Sequence, residues 1–203
     1  MTTAARPVAL RNGLIVDSVG VVAGYVEAWR IDLAPDPRPM SFGEPDLRRA
    51  NGDGARISAV QIAEILARRR AIERSLRAIP PGASLTDAAA AVPWQPLHEL
   101  FDGFAGIRGV GFSKMTKTLH RKRPALIPML DSVVQAYLAE DDLGPDAPFA
   151  ERALSLTKGY KRDLDQNRAA IRAVRRELEK RGHAVTDVRI LDLLIWSVRA
   201  ADR

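Results

Sequence analysis

The chain has 203 residues, 46% of them hydrophobic, so it can bury a substantial core. It contains no cysteine, which excludes disulfides, thiol nucleophiles, Cys-ligated zinc and iron–sulfur clusters, and its three histidines, His98, His120 and His183, lack metal-ligand spacing. The formal charge of +6 suits a polyanionic partner, although 25 arginines against 6 lysines is the bias of a GC-rich genome, so where the charge sits matters more than its total.

At the N-terminus, "MTTAARPVALRNG" lacks the compact apolar stretch and cleavage site of a signal peptide. No apolar run reaches the roughly 18 residues of a membrane span. A soluble, cytoplasmic protein without cofactor or metal is expected. Ile15, Val19, Val22, Val26 and Trp29 then recur at helical spacing. "APDPRPMSFGEPD" follows as a Pro-rich loop, taken with its flanks as residues 33–57. Ser58 and Gln61 form a capping box, behind which Ile62, Ile65, Leu66, Ile72, Leu76 and Ile79 predict one amphipathic helix ended by "PPG".

A short alanine-rich helix is expected over Leu85 to Ala91. Pro93 and Pro96 introduce the next helix, with Leu97, Leu100, Phe101 and Phe104 on its buried face. After the 107–134 stretch considered below, "DDLGPDAPF" is a loop whose Asp141, Asp142 and Asp146 lack an EF-hand pattern. Two helices are expected after it. The second, Asp187 to Arg199, is capped by Thr186 and apolar on nearly every face, so it is expected to lie centrally. Trp29, Trp94 and Trp196 fall on apolar stripes and are read as core. No strand alternation is evident. The expected fold is all-α, with about eight to ten helices. The whole chain is taken as one domain, or as two interleaved helical lobes with a hairpin at 97–121.

The stretch "IRGVGFSKMTKTLHRKRPALIPMLDSVV" carries the functional signal. It reads as helix, glycine turn, helix, with Gly109 and Gly111 permitting positive φ and close backbone approach. Free N–H groups at the start of the second helix, near Phe112, Ser113 and Lys114, make an anion site. From Gly103 to Leu130 there is no acidic residue, but six positive ones: Arg108, Lys114, Lys117, Arg121, Lys122 and Arg123. That pattern favours a phosphate backbone over the alternative, an αα turn that holds no ligand. A second basic segment, Lys158 to Arg181, has nine positive residues but also four acidic ones, and reads as a solvated helix face. In "HRKRP", cations complement the end of the second hairpin helix, and His120 is taken as a surface or phosphate-facing residue.

"IRGVGFSKMTKTL" resembles the helix-hairpin-helix motif. In the DNA glycosylase superfamily built on that hairpin, an apolar–Asp step opens another helix about twenty residues later. Here Gly111 and Asp131 are twenty residues apart, and "IPMLDSVV" has that form. The resemblance implies a DNA-binding protein of glycosylase-like helical fold. DNA phosphate would be held by Gly109, Gly111, Phe112, Ser113, Lys114, Lys117, Arg121 and Arg123. It also implies a role for Asp131 in supporting positive charge on a sugar as a base departs. The superfamily position that carries a Schiff-base lysine is Ser113 here, with Lys114 about 100° further round the helix, so any such activity would be monofunctional base release.

From the residues alone, Asp131 or Ser132 is equally a helix N-cap, and Ser132 with Gln135 reads as a capping box. A non-enzymatic DNA-binding or protein-interaction role on the same scaffold is therefore the alternative to an enzyme. "RKRPALIPMLDSVV" with "RILDLLIWS" is also similar to an uncharacterised family of actinobacterial proteins of unknown function, which implies no activity.

Overall fold

The computed structural model of the chain describes residues 7–29 and 36–201, with side chains to residue 198. It is mostly helical, 62% helix and 3% strand, with ten α-helices among the described residues. These are α1 (Ser18–Trp29), α2 (Glu44–Gly52), α3 (Ala59–Ala67), α4 (Arg69–Ala78), α5 (Trp94–Asp102), α6 (Phe112–Leu119), α7 (Ser132–Tyr137), α8 (Phe149–Gln166), α9 (Arg168–Lys180) and α10 (Asp187–Ala201). No helix is long and apolar enough to cross a membrane among the described residues.

α10 occupies the centre, as its apolar composition requires. Val188, Ile190, Leu191 and Leu194 have no exposed surface, and the helix packs against α1, α7, α8 and α9. α5 lies between α4 and α8, burying Leu97, Leu100 and Phe101, with Phe104 behind them. The buried apolar side chains join into one cluster that runs from Val8 to Ile195.

Several elements depart from the sequence reading. Two three-residue strands, β1 (Val8–Leu10) and β2 (Gly13–Ile15), pair antiparallel where no strand was expected. Three residues are too few for an alternation pattern to register. Tertiary contacts hold the hairpin: Asn167 bonds both Ala9 N–H and Ala9 C=O, and Arg11 bridges Asp141 and Asp163. α2 forms inside the expected loop, with Pro45 in its first turn and Asp46 Oδ2 accepting from Gly43 N–H at 2.8 Å.

The helix expected from Ile62 to Ile79 breaks at Arg68 into α3 and α4, because the Arg68 guanidinium is drawn to the carbonyls of Gly103 and Ala105. The helix expected before α10 breaks likewise at Asn167. The alanine-rich stretch makes only a 3₁₀ turn, Ala89–Ala91, none of whose residues is buried, while Leu85 ahead of it is buried. None of the three tryptophans is fully buried, and Trp29 is 60% exposed, edge-on to Tyr25 and Trp196. Thr186 does cap α10, accepting from Arg189 N–H at 3.1 Å.

Candidate nucleic-acid interface

α5, a turn over residues 103–111 and α6 follow one another in the order expected from sequence, but α6 packs against α2 while α5 packs against α4 and α8. Ile107, Val110 and Phe112 turn inward and anchor it, while Gly109 and Gly111 are exposed. Only one of the two glycines uses its conformational freedom. Gly109 has φ +75°, whereas Gly111 is extended at φ −97° and would accept a Cβ without contact. A Cβ at Gly109 would also lie 2.6 Å from Gln61 Nε2, so the glutamine would have to give way. Gln61, from α3, straps the turn. Its Nε2 donates to Arg108 C=O at 3.0 Å, and its Oε1 accepts from Ser58 N–H at 3.1 Å and from Lys114 Nζ at 2.8 Å.

Gly111 is the N-cap of α6 and offers no side-chain acceptor, so the first N–H groups of α6, those of Phe112, Ser113 and Lys114, keep their donor capacity. Lys114 and Lys117 lie on the same helix, both half-buried. Lys114 rests on the neutral amide of Gln61, and Lys117 on the carbonyl of Asp53 at 3.0 Å. Arg108, on the exposed turn, adds a third cation. Among the described residues none of the three is ion-paired with a carboxylate. Neutral oxygens thus position two ammonium groups without cancelling their charge. The 158–181 segment differs: Lys161, Arg162, Arg168 and Lys180 each make a short ion pair with an acidic partner, while Arg175 lies 3.5 and 3.6 Å from two carboxylates.

The remaining expected phosphate contacts are distributed differently. The Phe112 side chain is buried against the Phe149 ring, with Arg152 over its face, leaving only its N–H for a ligand. Ser113 is half-buried. Arg121 lies beyond α6 in the 3₁₀ turn His120–Lys122, its carbonyl accepting from Asp36 N–H. Arg123 has no exposed surface. Its guanidinium donates to the carbonyls of Leu76, Ile79, Pro39 and Lys122 at 2.6 to 2.8 Å, closing the C-terminal end of α4. In this position it cannot reach a phosphate, and the sequence assignment is corrected accordingly. Lys122 is buried between Asp36 and Asp46. His120 is also buried, its Nδ1 2.6 Å from Ile127 C=O, which corrects the surface reading. Burial, together with the charges of Arg189 and Arg121, lowers its pKa to about 4.

Asp131 caps α7. Its Oδ1 accepts from Val133 N–H at 2.9 Å and Val134 N–H at 3.1 Å, and its Oδ2 accepts from Trp196 Nε1–H at 2.9 Å. It is 7% exposed, so both oxygens are committed within the fold. The Ser132–Gln135 box does not form; Gln135 Nε2 instead donates to Leu130 C=O. Nearby, Asp192 is fully buried, accepting from Tyr160 O–H at 3.0 Å, with Arg189 3.9 Å away. Burial raises its pKa to about 7; Arg189 opposes that rise and the charge of Asp131 adds to it.

Two contributors were missed in the sequence. Arg108 was counted in the basic run but not assigned a contact. Gln61 was read only as a capping-box member, and nothing local reveals that it reaches a turn 47 residues away. No group of three acidic or histidine side chains could hold a metal ion among the described residues. The sequence profile of one protein family, described as a family of unknown function (DUF6308), matches residues 39–199, from just before α2 almost to the end of α10. No curated protein and no solved structure matches the chain.

Proposed function

The chain belongs to this family of unknown function, DUF6308, and from the geometry of its hairpin we propose that it binds the backbone of duplex DNA without acting on the bases. The observation that carries this reading is the uncompensated charge at the hairpin. The turn and α6 carry the donor groups of the helix's first turn, Lys114, Lys117 and Arg108 with no carboxylate partner, while in the second basic segment Lys161, Arg162, Arg168 and Lys180 are closely ion-paired. A phosphodiester offers the acceptor oxygens and negative charge that such a site lacks. Gly111, exposed and with open space above it, leaves the start of α6 open for close approach.

Asp131 has a structural role in this reading. Its three accepted hydrogen bonds would all have to be rearranged before it could face a sugar. The resemblance to glycosylases then concerns the hairpin scaffold rather than the chemistry.

Fluorescence anisotropy with a labelled 30-base-pair duplex tests both parts. The double variant Lys114→Gln, Lys117→Gln is expected to bind at least tenfold more weakly than wild type at unchanged thermal stability. The control Arg172→Gln, Arg176→Gln on α9 should bind as wild type does. Equal loss in both would place the interface elsewhere. Release of a damaged base by the wild-type protein, lost in Asp131→Asn, would restore the enzymatic reading.

A further inference from the structure

A second polar site lies away from the hairpin, where α9 meets the start of α10. It is a cleft of about 260 Å³ whose polar lining is Ser84, Thr86, Arg175 and Glu179 of α9, Thr186 and Asp187. Two polar atoms of opposite character are buried there without hydrogen-bond partners: Arg175 Nε and Asp187 Oδ1. Asp187 is itself 7% exposed. The ion pairs around them are long. Arg175 Nη1 lies 3.5 Å from Asp187 Oδ1, and Arg175 Nε lies 3.6 Å from Glu179 Oε1. Charged hydrogen bonds of good geometry are about 2.7 to 2.9 Å, so neither pair satisfies these groups.

Buried polar groups are nearly always paired, and an orphaned one marks a place that something else completes. Two orphans of opposite charge in one cleft call for a molecule with both a cationic donor and an anionic acceptor. Nearby N–H groups at the start of α10 add donor capacity on the acceptor's side. Burial raises the pKa of Asp187, while Arg175, Arg172 and Arg168 oppose that rise and Glu179 adds to it. An incoming ammonium would relieve the desolvated carboxylate.

We propose that this cleft binds a small zwitterion of the free amino-acid class. The ligand takes the place of the long Arg175–Asp187 contact as the part-exposed Arg175 side chain swings aside: its ammonium group donates to Asp187 Oδ1 and its carboxylate accepts from Arg175 Nε, with Ser84 and Thr86 lining the same cleft. The site shares no residue with the hairpin, so it stands or falls independently of DNA binding.

Isothermal titration calorimetry of the full chain against each of the twenty free amino acids, at millimolar concentrations, tests this. At least one is expected to give saturable heat. Its N-acetyl and its carboxamide derivatives, each lacking one charge, should bind at least tenfold more weakly. Asp187→Asn and Arg175→Gln should weaken binding by the same factor, with circular dichroism confirming the fold. Absence of binding by all twenty, or equal binding of the blocked derivatives, would overturn the proposal, and both readings use the wild-type protein alone.

Discussion

Arg123 and His120 look alike in sequence, as members of one basic run, yet neither lies on the surface. Arg123 binds four carbonyls in the interior, and its removal leaves the C-terminal end of α4 without those donors. Truncating one member of such a buried charged network costs on the order of 3 kcal/mol. Arg123→Met is therefore expected to lower the urea midpoint strongly, whereas a residue that only contacts phosphate would leave it unchanged.

His120 and Asp192 make a paired pH prediction. The unfolded imidazole takes up a proton below about 6.5, the folded one only near 4, so His120 withdraws stability as pH falls through that range. Asp192 has the opposite sign. Its folded pKa of about 7 lies above the ordinary 3.8, so its contribution is fully present at the acid end and is lost as pH rises towards 7. Between about 4 and 6.5 the two slopes oppose each other, each approaching roughly 1.4 kcal/mol per pH unit. These two contributions should therefore largely cancel there. Relative to wild type, Asp192→Asn should tilt the profile towards rising with pH, and His120→Gln should tilt it towards falling. Denaturation midpoints at half-unit pH intervals check this; parallel profiles for all three proteins would refute the assignment.

The order of helix, glycine turn and helix around residues 94–119 is where the sequence reading and the structure agree. Its glycines, apolar anchors and following helix all follow from local pattern, because a tight turn between two amphipathic helices constrains residue type at each position. What local pattern could not show is the strap from α3. Gln61 occupies the space above Gly109, and a Cβ at Gly109 would meet both this side chain and a backbone at φ +75°. Gly109→Ala is expected to cost about 1 to 2 kcal/mol from the backbone alone, plus the clash. Adding Gln61→Ala should recover the clash but not the backbone cost. A double-mutant cycle by denaturation measures the difference, and simple additivity would mean that the strap does not press on the turn.

The same limit explains the other misread elements. α3 and α4, and α8 and α9, are continuous in periodicity, and their breaks at Arg68 and Asn167 come from partners distant in sequence. The β1–β2 hairpin is too short to carry a pattern of its own and is held by Asn167 and Arg11.

At the scale of the whole molecule, the net charge of +6 is less informative than its pairing. Both basic segments were visible in the sequence. Their difference was not, because it depends on which carboxylates fold against which cations. Arg11, Arg152 and Arg162 are tied to Asp141, Asp142 and Asp163, and Lys122 to Asp36 and Asp46. Lys114 and Lys117 instead rest on neutral oxygens. The candidate site was therefore legible as a location, through the glycine turn and the acid-free run. The membership of its contacts was legible only in part: the cap at Asp131 was one of the two roles its sequence offered, whereas no local pattern shows that Arg123 turns inward or that Arg108 joins.

The central claim is that this hairpin holds a DNA backbone through unneutralised cations. The most direct measurement is the affinity for a duplex as a function of salt, for wild type and the double variant Lys114→Gln, Lys117→Gln. Each phosphate contact contributes a slope of about −0.9 in log K against log salt. Wild-type binding should weaken steeply with salt, and the variant's slope should be shallower by about 2. Binding that ignores salt, or a slope unchanged by loss of both lysines, would contradict the account.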